Sequence, residues 1–175
     1  MATPDAAPSI GFRPLRRADL PLLHEWLARP HVAAWWGEPP SLAEVEAEYG
    51  PLVAGATDVR PYLALLDGEP IGYVQSYVAA GAGAGWWPDE RDPGVRGIDQ
   101  FLADEERLGR GLGTALVRAF VDLLLADPAV TRVQVDPAPD NARAIRCYEK
   151  AGFRSVGVVD TPDGPALLMR REREP

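Results

Sequence analysis

Apolar residues change their spacing several times along this chain, and each spacing predicts a different element. Leu20, Leu23, Trp26 and Leu27 recur at helical intervals within Asp19–Arg29, and Pro30 closes that run. His31 through Pro40, with adjacent Trp35 and Trp36, reads as a connection. Ser41-Leu-Ala-Glu44 is a capping box opening a second helix, with Leu42, Val45, Tyr49 and Leu52 on one face. Ile10–Leu15, Tyr62–Leu66 and Ile71–Val78 read as strands, the last two joined by the hairpin signal Asp67-Gly68. Ala79–Arg96 is a glycine-rich loop carrying Trp86, Trp87, Asp89, Glu90 and Asp92, and a loop that long is usually functional or disordered. Gly97–Leu102, apolar apart from Asp99 and Gln100, predicts a central strand.

Thr114–Leu125 has a helical pattern and Arg132–Val135 a strand pattern. Asn141–Ala151 predicts a helix capped by Gly152. Phe153–Val159 and Pro165–Met169 flank Thr161-Pro-Asp-Gly164 as a terminal hairpin. This order predicts a mixed α/β (α+β) domain, neither a barrel nor a doubly wound sheet. A single domain is expected over 9–171. Residues 1–8 form a flexible tail, and a loose end starts at Arg170 and is flexible over 172–175.

Charge narrows the partners. With 26 acidic and 18 basic residues the net charge is −8, and no cluster of Lys or Arg stands out. That argues against nucleic acid or an anionic membrane. A cationic small substrate suits the excess, as does a plainly solvated acidic surface. A lone cysteine, Cys147, excludes an internal disulfide, and two histidines, His24 and His31, leave little for a metal site, so none is expected. The N-terminus lacks a secretory pattern, and the apolar run from Ala119 to Ala126 is interrupted by Asp122, so a cytoplasmic protein is expected.

The strongest chemical signal is Leu108-Gly109-Arg110-Gly111-Leu112-Gly113, followed directly by Thr114 and a helix. Glycines let several backbone N–H groups turn toward one point, and a helix N-terminus adds unpaired N–H groups and a positive dipole end. That combination suits a phosphate or pyrophosphate. Neither the P-loop nor the dinucleotide pattern is met. A partner stretch, Asn141-Ala-Arg-Ala-Ile-Arg-Cys-Tyr-Glu-Lys-Ala-Gly-Phe153, lies about one strand and one turn later.

Together these two stretches resemble the GNAT superfamily of acetyl-CoA-dependent N-acyltransferases, with Asn141, Tyr148, Gly152 and Phe153 matching its second motif. The resemblance implies a mostly antiparallel sheet with a splayed parallel central pair, flanked by helices. It also implies acetyl-CoA bound at residues 108–114 and Asn141. Longer matches, among them His31 through Trp35-Trp36-Gly, Gly85-Trp-Trp87 and Asp92-Pro-Gly-Val-Arg-Gly-Ile-Asp-Gln100, resemble the aminoglycoside 6′-N-acetyltransferases, which are cytoplasmic resistance enzymes. This chain departs from the superfamily pattern at Leu108, where Gln or Arg is usual, and from the aminoglycoside enzymes at Ala84, where an acid is usual, and at the bulky Phe101.

Moving an acetyl group from a thioester to an ammonium requires a base, donors for the oxyanion and stabilisation of the thiolate. Asp99, a carboxylate inside an apolar strand, is the candidate base, unless it pairs with an arginine such as Arg96. The resemblance also points to Asp99. It further suggests Tyr148 as the acid at sulfur, although its helical spacing with Ile145 also fits a core aromatic. Cys147 reads as inert core. The resemblance also implies that a backbone N–H in Arg132–Val135 polarises the carbonyl. By resemblance Asp136 and Asp163 join Asp99 in an acidic pocket, Asp163 being also a plausible turn residue. Trp36 and Trp87 are placed against sugar rings, and Trp35 and Trp86 are left ambiguous. His31 reads as a loop contact.

Three functions stay open. The first is acetylation of an aminoglycoside, at the 6′ amine, by a monomer or homodimer. The second is the same chemistry on another amine, such as the 2′ amine of a kasugamycin-like antibiotic or a hydroxylysine-type siderophore precursor. The third is a non-catalytic binder of acyl-CoA or antibiotic.

Overall fold

The computed structural model describes residues 9–174; the expected tail over 1–8 and the terminal Pro175 lie outside them. Seven strands form one sheet in the order β1-β2-β3-β4-β5-β7-β6. The strands are β1 (Ile10–Pro14), β2 (Arg60–Leu66), β3 (Glu69–Val78), β4 (Val95–Leu102), β5 (Arg132–Val135), β6 (Arg154–Thr161) and β7 (Gly164–Glu172). All neighbours are antiparallel except β4 and β5, which run parallel. The β2–β3 hairpin turns at Asp67 (φ 50) and Gly68 (φ 89). Two consecutive positive φ values twist with the strands, as the Asp-Gly pair foretells.

Alternation along the central strands loads both faces of the sheet. One face packs Val74, Ile98, Leu102 and Met169 beneath α4 (Leu112–Leu125) and α5 (Ala142–Lys150), which contribute Leu116, Phe120 and Tyr148. The other packs Leu63, Tyr73 and Phe101 against α1 (Leu20–Leu27), α2 (Pro30–Trp36) and α3 (Leu42–Val53), through Leu23, Trp26, Val32, Val45 and Tyr49. The capping box forms as read: Ser41 N–H donates to Glu44 Oε2 (2.7 Å) and Glu44 N–H to Ser41 Oγ (3.3 Å).

Three local expectations are corrected. Pro30 does not merely stop a helix: it is the first residue of α2, where a missing N–H costs nothing, so His31 to Trp36 are helical. Helix α4 begins at Leu112, so the second half of the glycine stretch is its first turn. Arg170 and Arg171 are not loose, because β7 runs on to Glu172, with Gln134 opposite Arg170 and Val133 opposite Arg171.

Candidate active site

Strands β4 and β5 pair over only three positions, Val95 with Arg132, Arg96 with Val133 and Gly97 with Gln134. β4 then continues to Leu102, while Asp136 and Pro137 carry the chain away, and Leu167 N–H donates to Pro137 C=O (2.8 Å) on the far side. The central pair therefore opens beyond Gly97. A cavity of about 1270 Å³ occupies this opening and joins the two faces of the sheet.

Adjacent residues on β4 look to opposite faces. Asp99 lies opposite Gln75 of β3 in the ladder, and Gln75 Nε2 donates to Asp99 Oδ2 at 2.9 Å. Gln100 and the buried Tyr148 approach the opening from the α4–α5 side and also line it. Asp136, at the end of β5, and Asp163, in the β6–β7 turn, complete a wall of three carboxylates with Asp99. Burial pushes the Asp99 carboxyl up; the Gln75 hydrogen bond opposes that, and the charge of Asp163 adds to it. Burial, then the charges of Asp99 and Asp163, push Asp136 up to about 7. Three acids this close and this shielded resist ionising together, so cations brought to the wall are favoured there. Burial raises the Tyr148 phenol, so it remains a hydrogen donor throughout the physiological range.

The other end of the cavity has the opposite character. Gly109 (φ 71) and Gly111 (φ 83) take left-handed conformations that a side chain would strain, and these set the turn into α4. Ala115 N–H to Gly111 C=O (3.0 Å) is the first bond of that helix, so the earlier N–H groups have no helical acceptor. Gly109, Gly111, Gly113 and Thr114 line the cavity there, with Asn141, Arg143, Arg146 and Lys150 across from them. Backbone donors, a helix dipole and three basic side chains around one recess fit a diphosphate-bearing ligand. Those α5 cations are functional candidates that the sequence reading passed over, although they stand within the motif it quoted. Among the described residues no three His, Cys, Asp or Glu side chains converge on a metal position.

A match to the family described as Acetyltransferase (GNAT) domain covers residues 16–161. The chain belongs to the GNAT acetyltransferases. The aminoglycoside N(6′)-acetyltransferase type 1 of Klebsiella pneumoniae is 57% identical over 169 residues, 95% of this chain and 84% of that relative. A crystal structure of the aminoglycoside acetyltransferase AAC(6′)-Ib with coenzyme A and kanamycin superposes with a TM-score of 0.90 at 57% identity, covering 94% of this chain and 95% of that one. The structure of the same enzyme with paromomycin and acetyl-CoA gives 0.91 at 58% identity, with 94% of each chain covered. The splayed parallel pair expected of a GNAT fold is the opening described above.

This GNAT chain gathers most of the expected site residues at the cavity: Trp36, Asp99, Leu108, Gly109, Gly111, Gly113, Thr114, Asp136, Asn141, Tyr148 and Asp163. Two cofactor candidates fall elsewhere. Arg110 is exposed, and Leu112 packs into the core beneath α4. Asn141 has a second duty as the N-cap of α5, its Oδ1 accepting from Ala144 N–H (3.2 Å). Cys147 is not sealed in the core: it is half-buried beside the recess, where Thr114 Oγ1 donates to its sulfur (3.7 Å) and burial pushes the thiol up. His31 is helical rather than in a loop, and its Nε2 donates to Leu102 C=O (2.9 Å) at the open edge of β4. The carbonyl-polarising N–H was expected on Arg132–Val135. There β5 is paired with β7 along its length and with β4 as far as Gln134, which leaves the open edge on β4 beyond Gly97.

The tryptophans divide differently from expectation. Trp36 lines the cavity and is held edge-on by Tyr73 (5.7 Å) and Phe101 (4.9 Å), while Trp35 lines it with half its surface exposed. In the loop Trp86 faces the cavity, and Trp87 does not line it. Trp87 instead donates its Nε1 hydrogen to Tyr77 Oη (3.0 Å) from a left-handed backbone (φ 48). Glu90 to Arg132 (2.7 Å) and Thr131 to Asp92 (2.7 Å) tie the same loop over β5. Ala84, the missing acid, is exposed away from the cavity lining.

Tyr77 can lie across β4 only because Gly97 has no side chain; a Cβ there would overlap the ring. Gly97→Ala is therefore expected to displace Tyr77, release Trp87 and cost about 1–3 kcal/mol. Thermal unfolding and tryptophan emission check this: a lower midpoint with red-shifted emission is expected.

Proposed function

We propose that this chain transfers the acetyl group of acetyl-CoA directly to an amine of an aminoglycoside antibiotic, the 6′ amine, and thereby confers resistance as a cytoplasmic enzyme. The observation that carries this reading is the single cavity whose basic, amide-lined end suits a diphosphate and whose acidic end suits a sugar polycation. The relatedness to aminoglycoside 6′-N-acetyltransferases over nearly the whole chain supports the same substrate class.

Gly109, Gly111, Gly113 and Thr114 would hold the diphosphate of acetyl-CoA, with Arg143, Arg146 and Lys150 neutralising its charge. Acetyl-CoA supplies an acetyl group activated as a thioester. Asp136 and Asp163 hold ammonium groups of the antibiotic by charge-assisted hydrogen bonds, and Trp36 and Trp86 cover its sugar faces. Asp99 receives the proton of the reacting ammonium on its carboxylate, directly or through one water. Its raised pKa brings it closer to that of the donor than an ordinary aspartate would be. Tyr148 stands on the opposite face and donates its phenolic hydrogen toward the departing sulfur. Because burial makes the phenol a weaker acid, hydrogen bonding precedes any full proton transfer.

Thiol release from acetyl-CoA with kanamycin, tobramycin and neomycin tests the reading: turnover is expected with 6′-amino substrates, and none with any of the three would remove it. Tyr148→Phe keeps the ring packed on Phe153 (5.5 Å) and removes one oxygen. It is expected to lower kcat about 10- to 100-fold with little change in kanamycin KM, as steady-state kinetics would show.

A further inference from the structure

Asp99 is half-buried in the cavity wall and faces like charge, and both conditions favour its protonated form, which cannot serve as a base. A short series of hydrogen bonds works against them. Tyr73 and Gln75 stand two apart on β3 and so share a face, with Gln75 directly across the ladder from Asp99. Tyr73 Oη donates to Gln75 Oε1 at 2.6 Å, and Gln75 Nε2 donates to Asp99 Oδ2 at 2.9 Å.

The direction of this series is fixed at its far end. Tyr73 is fully buried, met edge-on by Trp36 and Tyr49 and stacked on Phe101. Among the described residues the Tyr73 phenol has one acceptor, the Gln75 side-chain oxygen, so the amide presents oxygen to Tyr73 and nitrogen to Asp99. Turning the amide over would strand the phenolic hydrogen and set oxygen against carboxylate, each costly in a buried site.

We propose that Tyr73 and Gln75 are positioning residues for Asp99, forming a relay that occupies Oδ2, keeps Oδ1 for the reacting ammonium and holds the carboxylate ionised. This rests on the reading of Asp99 as the base of acetyl transfer. Neither residue touches the reacting atoms: Gln75 acts through Asp99, and Tyr73 acts through Gln75. The relay also couples the substrate wall to the base, since Trp36 leans on the Tyr73 ring. The same cavity is lined by Asp136 and Asp163, by Tyr77 from β3, Tyr148 and Cys147 from α5, Glu48 from α3, His31 from α2 and Asp58, with Arg143, Arg146 and Lys150 at its basic end, and Tyr49 from α3 also feels the Asp99 charge. Among the described residues Gln75 supplies the side-chain hydrogen bond to Asp99, and that bond favours the ionised form.

The test follows the Asp99 carboxyl by ¹³C NMR in the full chain without substrate, assigned by its loss in Asp99→Asn, alongside the pH dependence of kcat/KM. In Gln75→Leu the Asp99 midpoint and the acid limb of the profile are both expected to move up by about one pH unit. In Tyr73→Phe both move the same way by less, and at high pH its activity returns to within about threefold of the parent chain. An unmoved midpoint and limb in both variants, with activity lowered equally at every pH, would overturn the relay. Should Gln75→Leu fail to fold, Tyr73→Phe, which removes a single atom, decides alone. A midpoint that moves in a chain acetylating no aminoglycoside would sink the proposed function and leave the relay standing. Turnover with a fixed midpoint would do the reverse.

Discussion

Asp99→Asn is expected to lower kcat by about 10²- to 10⁴-fold, the range for losing a positioned general base. The substitution keeps the side-chain shape, and Gln75 Nε2 still finds an oxygen to donate to. It also removes a carboxylate whose pKa burial has pushed up, so the folded chain gains stability wherever that group was ionised. A melting midpoint at or above the parent value, together with the kinetic loss, separates a chemical defect from misfolding. Activity within a few-fold of the parent would remove Asp99 from the mechanism.

A change of opposite sign in stability and binding is expected at Asp136. Its folded pKa of about 7 stands above the ordinary aspartate value of 3.8. Between those values the folded chain holds a proton that the unfolded chain has released, so stability declines as pH rises from about 4 to 7 and stays lost above. Asp136→Asn abolishes this loss. The variant should melt higher than the parent at pH 8 and at nearly the same temperature at pH 4, where both side chains are neutral. Kanamycin KM should meanwhile rise about tenfold at pH 8, as for one charge-assisted contact. Calorimetry at the two pH values and steady-state kinetics give both readouts, and parallel losses in melting temperature and KM would contradict this role.

Much of the scaffold is legible in local chemistry. The Asp67-Gly68 turn, the Ser41–Glu44 capping box and the left-handed Gly152 (φ 95) that closes α5 each rest on residues close in sequence, and each forms as read. The glycine turn into α4 is legible for the same reason, since Gly109 and Gly111 take the left-handed backbone that it needs. Pro30 misleads because proline after a helical run can stop one helix or start the next, and only the packing of Val32 into the second core decides. The length of β7 was hidden for another reason: Arg170 to Glu172 look like a solvated end until β5 pairs with them.

At the site, long-range geometry did most of the hiding. Trp86 and Trp87 are alike by composition, and what separates them is Tyr77, ten residues away on β3, reached across a strand by virtue of Gly97. Gln75 and Tyr73 stood within the longer family matches without a role of their own; their pattern is that of any half-buried strand, and their meaning comes from the register that sets Gln75 opposite Asp99. Asp99 itself was visible because a charge within an apolar strand needs a reason. Arg143, Arg146 and Lys150 looked like the solvated face of a helix until the cavity placed them opposite the glycine turn.

One cavity is proposed to align a thioester donor with the 6′ amine of a sugar polycation. Its most direct test is the product formed from acetyl-CoA labelled with ¹³C in the acetyl carbonyl and an excess of kanamycin, read by NMR. The expected result is a single amide carbonyl correlated with the 6′ methylene protons, absent when Asp99→Asn replaces the parent over the same interval. Label retained in the thioester, or amide formed at a different amine, would contradict the account.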